Sequence, residues 1–140
     1  MPFWRRDDNP LPKTDRGSGS FDNYKFDLIP NNKDVKIRLA GSDPYQQELE
    51  TIASAGEEEI TTAMSRRSSQ EEGIDAPIEV RLFTGRRVSG VVGTVPRGLE
   101  SIVDEALSRL ENRGDKARIP VAVVKTKNGY RVDLLMGLTR

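Results

Sequence analysis

The stretch RRVSGVVGTVPRG, residues 86–98, is the first place where residue types and spacing suggest chemistry. A glycine-rich loop before a helix can bind a phosphate with its backbone N–H groups. A phosphate loop requires G-x-x-x-x-G-K-[ST], and a dinucleotide loop requires G-x-G-x-x-G. Here Gly90, Gly93 and Gly98 are spaced by three and five residues, and no lysine follows in the required place. We therefore interpret the stretch as a β-strand in which Gly90 and Gly93 mark a bulge or a sharp bend.

The composition excludes several classes of catalytic site. The 140-residue chain has no cysteine and no histidine, which removes thiol chemistry, zinc sites built on these residues and Ser-His pairs. The carboxylates of Glu100, Asp104, Glu105 and Glu111 fall on the predicted polar face of a helix, which is typical of solvent-exposed charges. We therefore predict no catalytic residue, no metal site, no cofactor and no enzymatic activity.

The hydropathy pattern gives an expectation about location. No apolar run approaches the roughly 18 residues that a membrane helix needs, and the N-terminus lacks the apolar core of a signal peptide. Absence of cysteine also fits a reducing compartment. These features predict a cytoplasmic protein that does not bind membranes.

Basic residues give the main indication of a binding function. The formal net charge is zero, but residues 76–140 hold 12 basic and 7 acidic residues, a net charge of +5. If two predicted hairpins are neighbours, their basic residues form one positive rim that binds single-stranded DNA or another polyanion. Nearby aromatic residues for base stacking are few, namely Phe83 and Tyr130, and basic hairpin tips also serve solubility, so both interpretations stay open. The rim would consist of Arg86, Arg87, Arg97, Lys125, Lys127 and Arg131.

Residues 1–34 show no persistent helical or strand period, and they contain four prolines and a GSGS run. This composition predicts a disordered N-terminal tail or linker. Two apolar segments interrupt it, and they suggest an alternative function, an interaction adaptor whose tail docks a protein partner. The docking residues would be Phe3, Trp4, Phe21, Tyr24 and Phe26.

Hydrophobic periodicity predicts an α+β fold of five or six short strands and two helices. Segment 57–67 is assigned as a strand, although its glutamate run also suits a helix, and 68–77 is assigned as a polar loop. A closing hairpin is predicted around Asn128-Gly129, a preferred two-residue turn. The remaining strands are predicted at 35–41, 78–85 and 87–95, and the helices at 42–56 and 98–114.

With these elements in place, residues 35–140 resemble a HIRAN domain, particularly the short stand-alone forms of actinobacterial proteins. The segment IRLAGSDPYQQELETIA (37–53) is similar to the opening strand, turn and Tyr-Gln-containing helix of the family. The segment VVGTVPRGLESIVDEAL (91–107) resembles its V-G-Y-L-[PS]-R strand end and the helix that follows. The segment IPVAVVKTKNGYRVDLLM (119–136) resembles its closing hairpin.

The resemblance implies a small OB-like or SH3-like β-barrel with helices packed against it. It also implies a non-catalytic module, because HIRAN domains of repair helicases bind single-stranded DNA ends by aromatic stacking and a D-x-N-A loop. This sequence differs at those positions. Thr94 replaces the family tyrosine, Leu39 and Ala40 replace an aromatic pair, and the loop remains only as Asp75-Ala76-Pro77-Ile78 (75–78). A threonine cannot stack a base, so binding has to rest on other residues.

Overall fold

Six β-strands and three α-helices make up the part of the chain that this computed structural model describes, residues 11–56, 59–64, 66–85 and 87–140. The α+β class is as expected, and no helix within these ranges is long and apolar enough to span a membrane. In chain order the elements are β1 Ile37–Arg38, α1 Gln46–Ser54, β2 Ile60–Thr62, α2 Ser69–Gly73, β3 Glu79–Thr84, β4 Arg87–Thr94, α3 Glu100–Asn112, β5 Val121–Thr126 and β6 Gly129–Leu134. Short 3-10 turns cover Lys13–Asp15, Phe21–Asn23, Asp43–Tyr45 and Met136–Thr139.

The described strands form two antiparallel sheets of three strands, and no closed barrel. The first sheet has the order β1–β6–β5 and the second β2–β3–β4. Isolated bridges link the sheets, one between Ala40 and Thr94 and another between Thr61 and Pro120. Because β1 and β2 are only two and three residues long, a continuous ladder of hydrogen bonds does not run around the molecule. The described strands therefore form two sheets connected by single bridges.

The long helix α3 packs on the hydrophobic core and confirms the predicted apolar stripe. However, it also buries Glu100 and Asp104, which the sequence placed on a solvent-exposed face. Asp104 accepts hydrogen bonds from the backbone N and the Nε of Arg67 at 2.9 and 2.8 Å. Burial of this carboxylate is possible because an arginine from outside the helix compensates its charge. The buried apolar residues of α3 are Ile102, Val103, Ala106, Leu107 and Leu110.

The glycines of β4 lie beside irregularities in the β3–β4 ladder, as the sequence predicted. Val80 pairs with Gly93, but the next partner of β3 is Val91, and a second register shift follows before the next pair. A Cβ atom on Gly93 would lie 3.0 Å from the carbonyl oxygen of Ala40. Gly93 is thus needed for a close approach of two backbones, whereas a Cβ atom on Gly90 would meet open space.

Two local predictions differ from the structure in detail, and a third is confirmed. The turn of the β5–β6 hairpin consists of Lys127 and Asn128, one residue earlier than expected, because Thr126 pairs with Gly129. Segment 57–67, ambiguous in sequence but assigned as a strand, contains strand β2 as predicted. The segment 68–77, expected to be a loop, contains α2. Ser68 and Glu71 form a reciprocal capping box at the N-terminus of this helix.

The described part of the N-terminal segment, residues 11–34, packs on the domain, in contrast to the disordered tail that the sequence predicts. Ser18 and Arg38 form an isolated bridge with backbone hydrogen bonds of 2.9 and 3.1 Å. Asp15 is only 1% exposed, and its carboxylate accepts hydrogen bonds from the backbone N–H groups of Ser42 and Asp43. These contacts are made with residues distant in the sequence, so local periodicity carries no sign of them.

Candidate nucleic-acid interface

Arg131 does not belong to an exposed basic rim. Its side chain is 2% exposed, and its Nη2 donates a hydrogen bond of 2.8 Å to the carboxylate of Asp43. The guanidinium also donates to the backbone carbonyl oxygens of Tyr130 and Asn128. The predicted role of Arg131 in nucleic-acid binding is therefore corrected, because the side chain is buried and its donors are used within the fold.

Arg97 is exposed, but its guanidinium is held by two carboxylates. Its Nη2 lies 2.8 Å from Asp75, and its Nη1 lies 2.7 Å from Glu100. Nη2 also donates to the backbone carbonyl oxygen of Asp75. Arg97 thus connects the end of β4 to the loop before β3, and a phosphate would compete with these ion pairs.

The other basic residues predicted at the rim lie at separate places. Lys125 and Lys127 are exposed on the β5–β6 hairpin, and the ammonium of Lys125 lies 5.7 Å from the centre of the Tyr130 ring. Arg87 is exposed at the start of β4 and lines a small groove together with Glu48 of α1. Because α1 contacts β4, β5 and β6, it separates the two hairpins. Arg86 lies outside the described residues.

A more coherent surface lies on the outer face of the second sheet, centred on Phe83. The guanidinium of Arg118 stacks over the Phe83 ring, with its Cζ atom 4.3 Å from the ring centre. This is the geometry of a cation–π contact. An open groove of about 680 Å³, here named the Phe83 groove, runs beside the pair. Its lining residues are Gly56, Glu59, Thr61, Phe83, Gly85, Lys116, Arg118 and Pro120.

A second groove, here named the flanking groove, continues past Phe83. It has a volume of about 510 Å³, and Met64 and Val88 contribute apolar surface to it. Glu111 and Asp115 also line it, and Asp115 is paired with Arg113 at 3.0 Å. Phe83, Lys116 and Arg118 line both grooves. One aromatic ring and two cations therefore stand where the two grooves meet.

Local strand chemistry positions these side chains. In β3, Val80 and Leu82 are buried, so the alternation of strand side chains places Phe83 on the outer face. Thr61 of β2 and Val88 of β4 are its cross-strand partners. The bridge between Thr61 and Pro120 brings the segment that carries Lys116 and Arg118 alongside this sheet.

Sequence reasoning identified Phe83 as a nearby aromatic residue but missed Lys116 and Arg118. The available signal was two basic residues spaced by two, directly before the apolar run of β5. That signal does not show which sheet the two side chains adjoin. The bridge to β2 decides it, and such a pairing between distant segments cannot be inferred from local periodicity.

The aromatic residues predicted to dock a partner are divided by the structure. Tyr24 is buried in the hydrophobic core, so its predicted docking role is corrected. Phe21 and Phe26 are exposed, and Phe26 is fully exposed. Phe3 and Trp4 lie outside the described residues.

The positions at which the resemblance expects aromatic residues lie close together. Ala40 and Thr94 exchange two backbone hydrogen bonds of 2.8 Å, and Leu39 is fully buried. Asp75, in the remnant of the D-x-N-A loop, adopts a left-handed backbone conformation with φ of 53°. None of these side chains offers a stacking surface.

Within the described ranges, no group of three or more carboxylates is arranged to hold a metal ion. No protein-family model matches the chain, and neither a curated protein nor a solved structure matches it significantly.

Proposed function

We propose that this protein is a non-catalytic binding module that binds single-stranded DNA or another polyanion through the Phe83 groove and the flanking groove. The observation that carries the proposal is the arrangement of Phe83, Lys116 and Arg118 at the junction of the two grooves. Single-strand binders combine cations that contact the backbone with aromatic rings on which bases stack. Both components are present on this face of the sheet.

The proposed binding mode assigns a separate task to each side chain. Lys116 is exposed and contacts phosphates as a mobile point charge. Arg118 is planar and lies over Phe83, so its outer face can stack a base while its N–H groups donate to a phosphate. Phe83 keeps the guanidinium in place. Stacking on a planar surface is tolerant of sequence, so in this mode Phe83 and Arg118 themselves should discriminate little between the four bases.

The proposal includes a HIRAN-like, OB-like fold. Its support is the order in which the strands meet, since each edge of one sheet contacts an edge of the other through a single bridge. A small barrel that opens between its strands has this arrangement. The ligand would then lie on the outer face of β2 and β3, because the positions of the family aromatic residues carry Leu39, Ala40 and Thr94.

Fluorescence anisotropy with labelled single-stranded DNA in about 50 mM salt tests the proposed function. We expect salt-dependent binding that weakens about tenfold in Phe83→Ala and in Arg118→Ala, in line with the value of one base-stacking contact. Lys127→Ala removes a cation from the distant β5–β6 hairpin and is the matched control. If Lys127→Ala abolishes binding while Arg118→Ala leaves it intact, the ligand binds at the hairpin and the proposed site is wrong.

A second candidate function is a protein-interaction adaptor that uses the N-terminal segment. Tyr24 and Pro30 form an isolated bridge, and Lys25 N donates to the carbonyl oxygen of Ile29 at 2.8 Å. These contacts form a small hairpin that presents Phe26 at its tip. Leu28 in the same hairpin has a positive φ of 66°, a strained conformation for a leucine.

The hairpin favours a role for Phe26 in inserting into an apolar pocket of a protein partner. A pull-down with Phe26→Ser tests this, with Lys25→Ser, an exposed residue of the same hairpin, as a matched control. We expect the Phe26 variant to lose any partner that the wild-type protein retains, while binding of single-stranded DNA is unchanged. A partner captured equally by both variants would exclude this role for Phe26.

A further inference from the structure

The Phe83 groove contains a carboxylate among its cations. Glu59 is exposed, lines this groove, and precedes Thr61 by two residues. Thr61 pairs with Phe83, and side chains two residues apart in extended backbone lie on the same face. Glu59 therefore lies on the outer face that carries Thr61 and Phe83, and it lines the Phe83 groove but not the flanking groove.

A carboxylate at this place discriminates between kinds of polyanion. A chain that carries only anionic acceptor oxygens, such as polyphosphate, offers Glu59 no donor and meets like-charge repulsion. A nucleobase with an exocyclic amino group offers N–H donors, and acidic side chains accept hydrogen bonds from the amino group of cytosine. Thymine has no amino group, so it cannot satisfy the carboxylate in this way.

The groove is large enough for an unstacked nucleotide, and its lining offers a group to each part of one. Its volume of about 680 Å³ lies within the range of about 300–1,000 Å³ found for small-molecule sites. A base beside Phe83 has Arg118 on one side for stacking, Lys116 nearby for the phosphate, and Glu59 for its polar edge. Each chemical part of a nucleotide thus has a counterpart in the groove.

We infer that Glu59 makes the Phe83 groove a receptor for an amino-bearing base of single-stranded DNA, with cytosine preferred over thymine and with simple polyanions disfavoured. This inference rests on the proposed function and narrows its ligand class. Glu59 acts here as a specificity-determining residue, while Lys116 and Arg118 supply the affinity common to all sequences.

Anisotropy titrations with labelled oligo-dC and oligo-dT of about 12 nucleotides test the inference, near pH 7.5 to keep cytosine neutral. We expect the wild-type protein to bind oligo-dC about fivefold more tightly than oligo-dT. In Glu59→Ala the ratio should fall to about one, because oligo-dT gains affinity when the negative charge is removed and oligo-dC loses its acceptor. Glu50→Ala, which removes an exposed carboxylate from α1, should leave the ratio unchanged.

Two further experiments distinguish recognition of the base by Glu59 from simple charge repulsion. Glu59→Gln removes the charge but keeps an acceptor oxygen, so both oligomers should bind more tightly while oligo-dC stays preferred. Unlabelled polyphosphate should displace the labelled oligomer poorly from the wild-type protein and more readily from the Glu59→Ala variant.

The results distinguish a failure of this inference from a failure of the proposed function. If wild-type protein binds both oligomers equally and Arg118→Ala weakens both, the groove binds DNA but the role of Glu59 is overturned. If neither oligomer binds in a salt-dependent manner, the proposed function fails, and the inference fails with it.

Discussion

The carboxylate of Asp15 lies 3.9 Å from the Nε of Arg131, and both side chains are almost completely buried. Asp15 also accepts the backbone N–H groups of Ser42 and Asp43, which precede α1. An N-terminal residue therefore holds together the start of α1 and the closing hairpin. This relationship explains why residues 11–34 belong to the folded domain, and why Arg131 cannot serve an external ligand.

Asp15→Asn should lower the free energy of unfolding by about 2–3 kcal/mol. The amide removes the charge that faces Arg131, and its NH₂ group cannot accept a hydrogen bond from a backbone N–H. Urea unfolding measures the loss, with the exposed Asp22→Asn as a control on the same segment. A change in Asp15→Asn no larger than in Asp22→Asn would show that the buried contact is not needed for stability.

Tyr24 makes the stability of the domain decrease at high pH. Burial raises the pKa of its hydroxyl to about 12, and among the described residues this hydroxyl has no hydrogen-bond partner. The folded-state pKa is above the unfolded value of about 10, so the neutral phenol contributes its full stability below pH 10. That contribution is lost as the pH rises from about 10 towards 12.

Tyr24→Phe should therefore unfold with the same or slightly higher free energy near pH 7, because no hydrogen bond is lost. Above about pH 10 the wild-type protein should lose stability relative to this variant. Urea unfolding of both proteins at about pH 7 and about pH 11 checks the difference. Parallel pH dependences would mean that Tyr24 does not titrate with a raised pKa.

Gly93→Ala should destabilise the protein by about 1–3 kcal/mol, as is typical of overpacking. The added methyl group would lie 3.0 Å from the Ser42 Oγ and 3.1 Å from the Leu39 Cβ, in a buried region. Gly90→Ala is the matched control in the same strand, where nothing lies within 4 Å, and it should be neutral or slightly stabilising. Thermal unfolding compares the two variants, and equal effects would contradict the close approach at Gly93.

Asp104→Ala should cost about 3 kcal/mol, because it leaves the guanidinium of Arg67 without its main partner. The side chain of Arg67 is 9% exposed, so water compensates this loss poorly. Glu111→Ala removes an exposed carboxylate from the same helix and should change stability by less than about 0.5 kcal/mol. Chemical denaturation distinguishes these outcomes, and similar small losses would argue against a structural role for the buried pair.

Lys116→Ala should weaken single-stranded DNA binding and lower the slope of log affinity against log salt by about 0.7, the value for one phosphate contact. Phe83→Ala should weaken binding while leaving this slope nearly unchanged, since it removes the support of the stacking guanidinium of Arg118 but no cation. Titrations at several salt concentrations measure both effects. An unchanged slope in Lys116→Ala would place the phosphate contacts elsewhere.

Much of the local structure could be predicted because local periodicity reports it directly. The stripe of α3, the alternation of β3 and the presence of a closing hairpin can all be read in the sequence, since each depends on residues that are neighbours in the chain. Ser68 and Glu71 have the spacing of a capping box, but the polar composition of the segment favours a loop. Its side chains are exposed, so no apolar stripe supported a helix.

The candidate site was less predictable. Exposure and pairing decide whether a basic residue can bind a ligand, and both depend on distant segments. In the sequence, nothing distinguishes Arg97 and Arg131 from Lys125 and Lys127. In the structure, Arg97 forms ion pairs with Asp75 and Glu100, and Arg131 forms one with Asp43.

The sequence by itself determined the α+β class, the principal elements and the exclusion of cysteine and histidine chemistry, because these follow from composition and short-range periodicity. Only the tertiary structure decided that the strands form two sheets, that residues 11–34 pack on the domain, and that Arg118 lies over Phe83. These features depend on pairings such as Thr61 with Pro120 and Asp15 with Ser42, between segments far apart in the chain. The free energy of such contacts comes from burial and charge compensation in three dimensions, and local sequence patterns do not encode it.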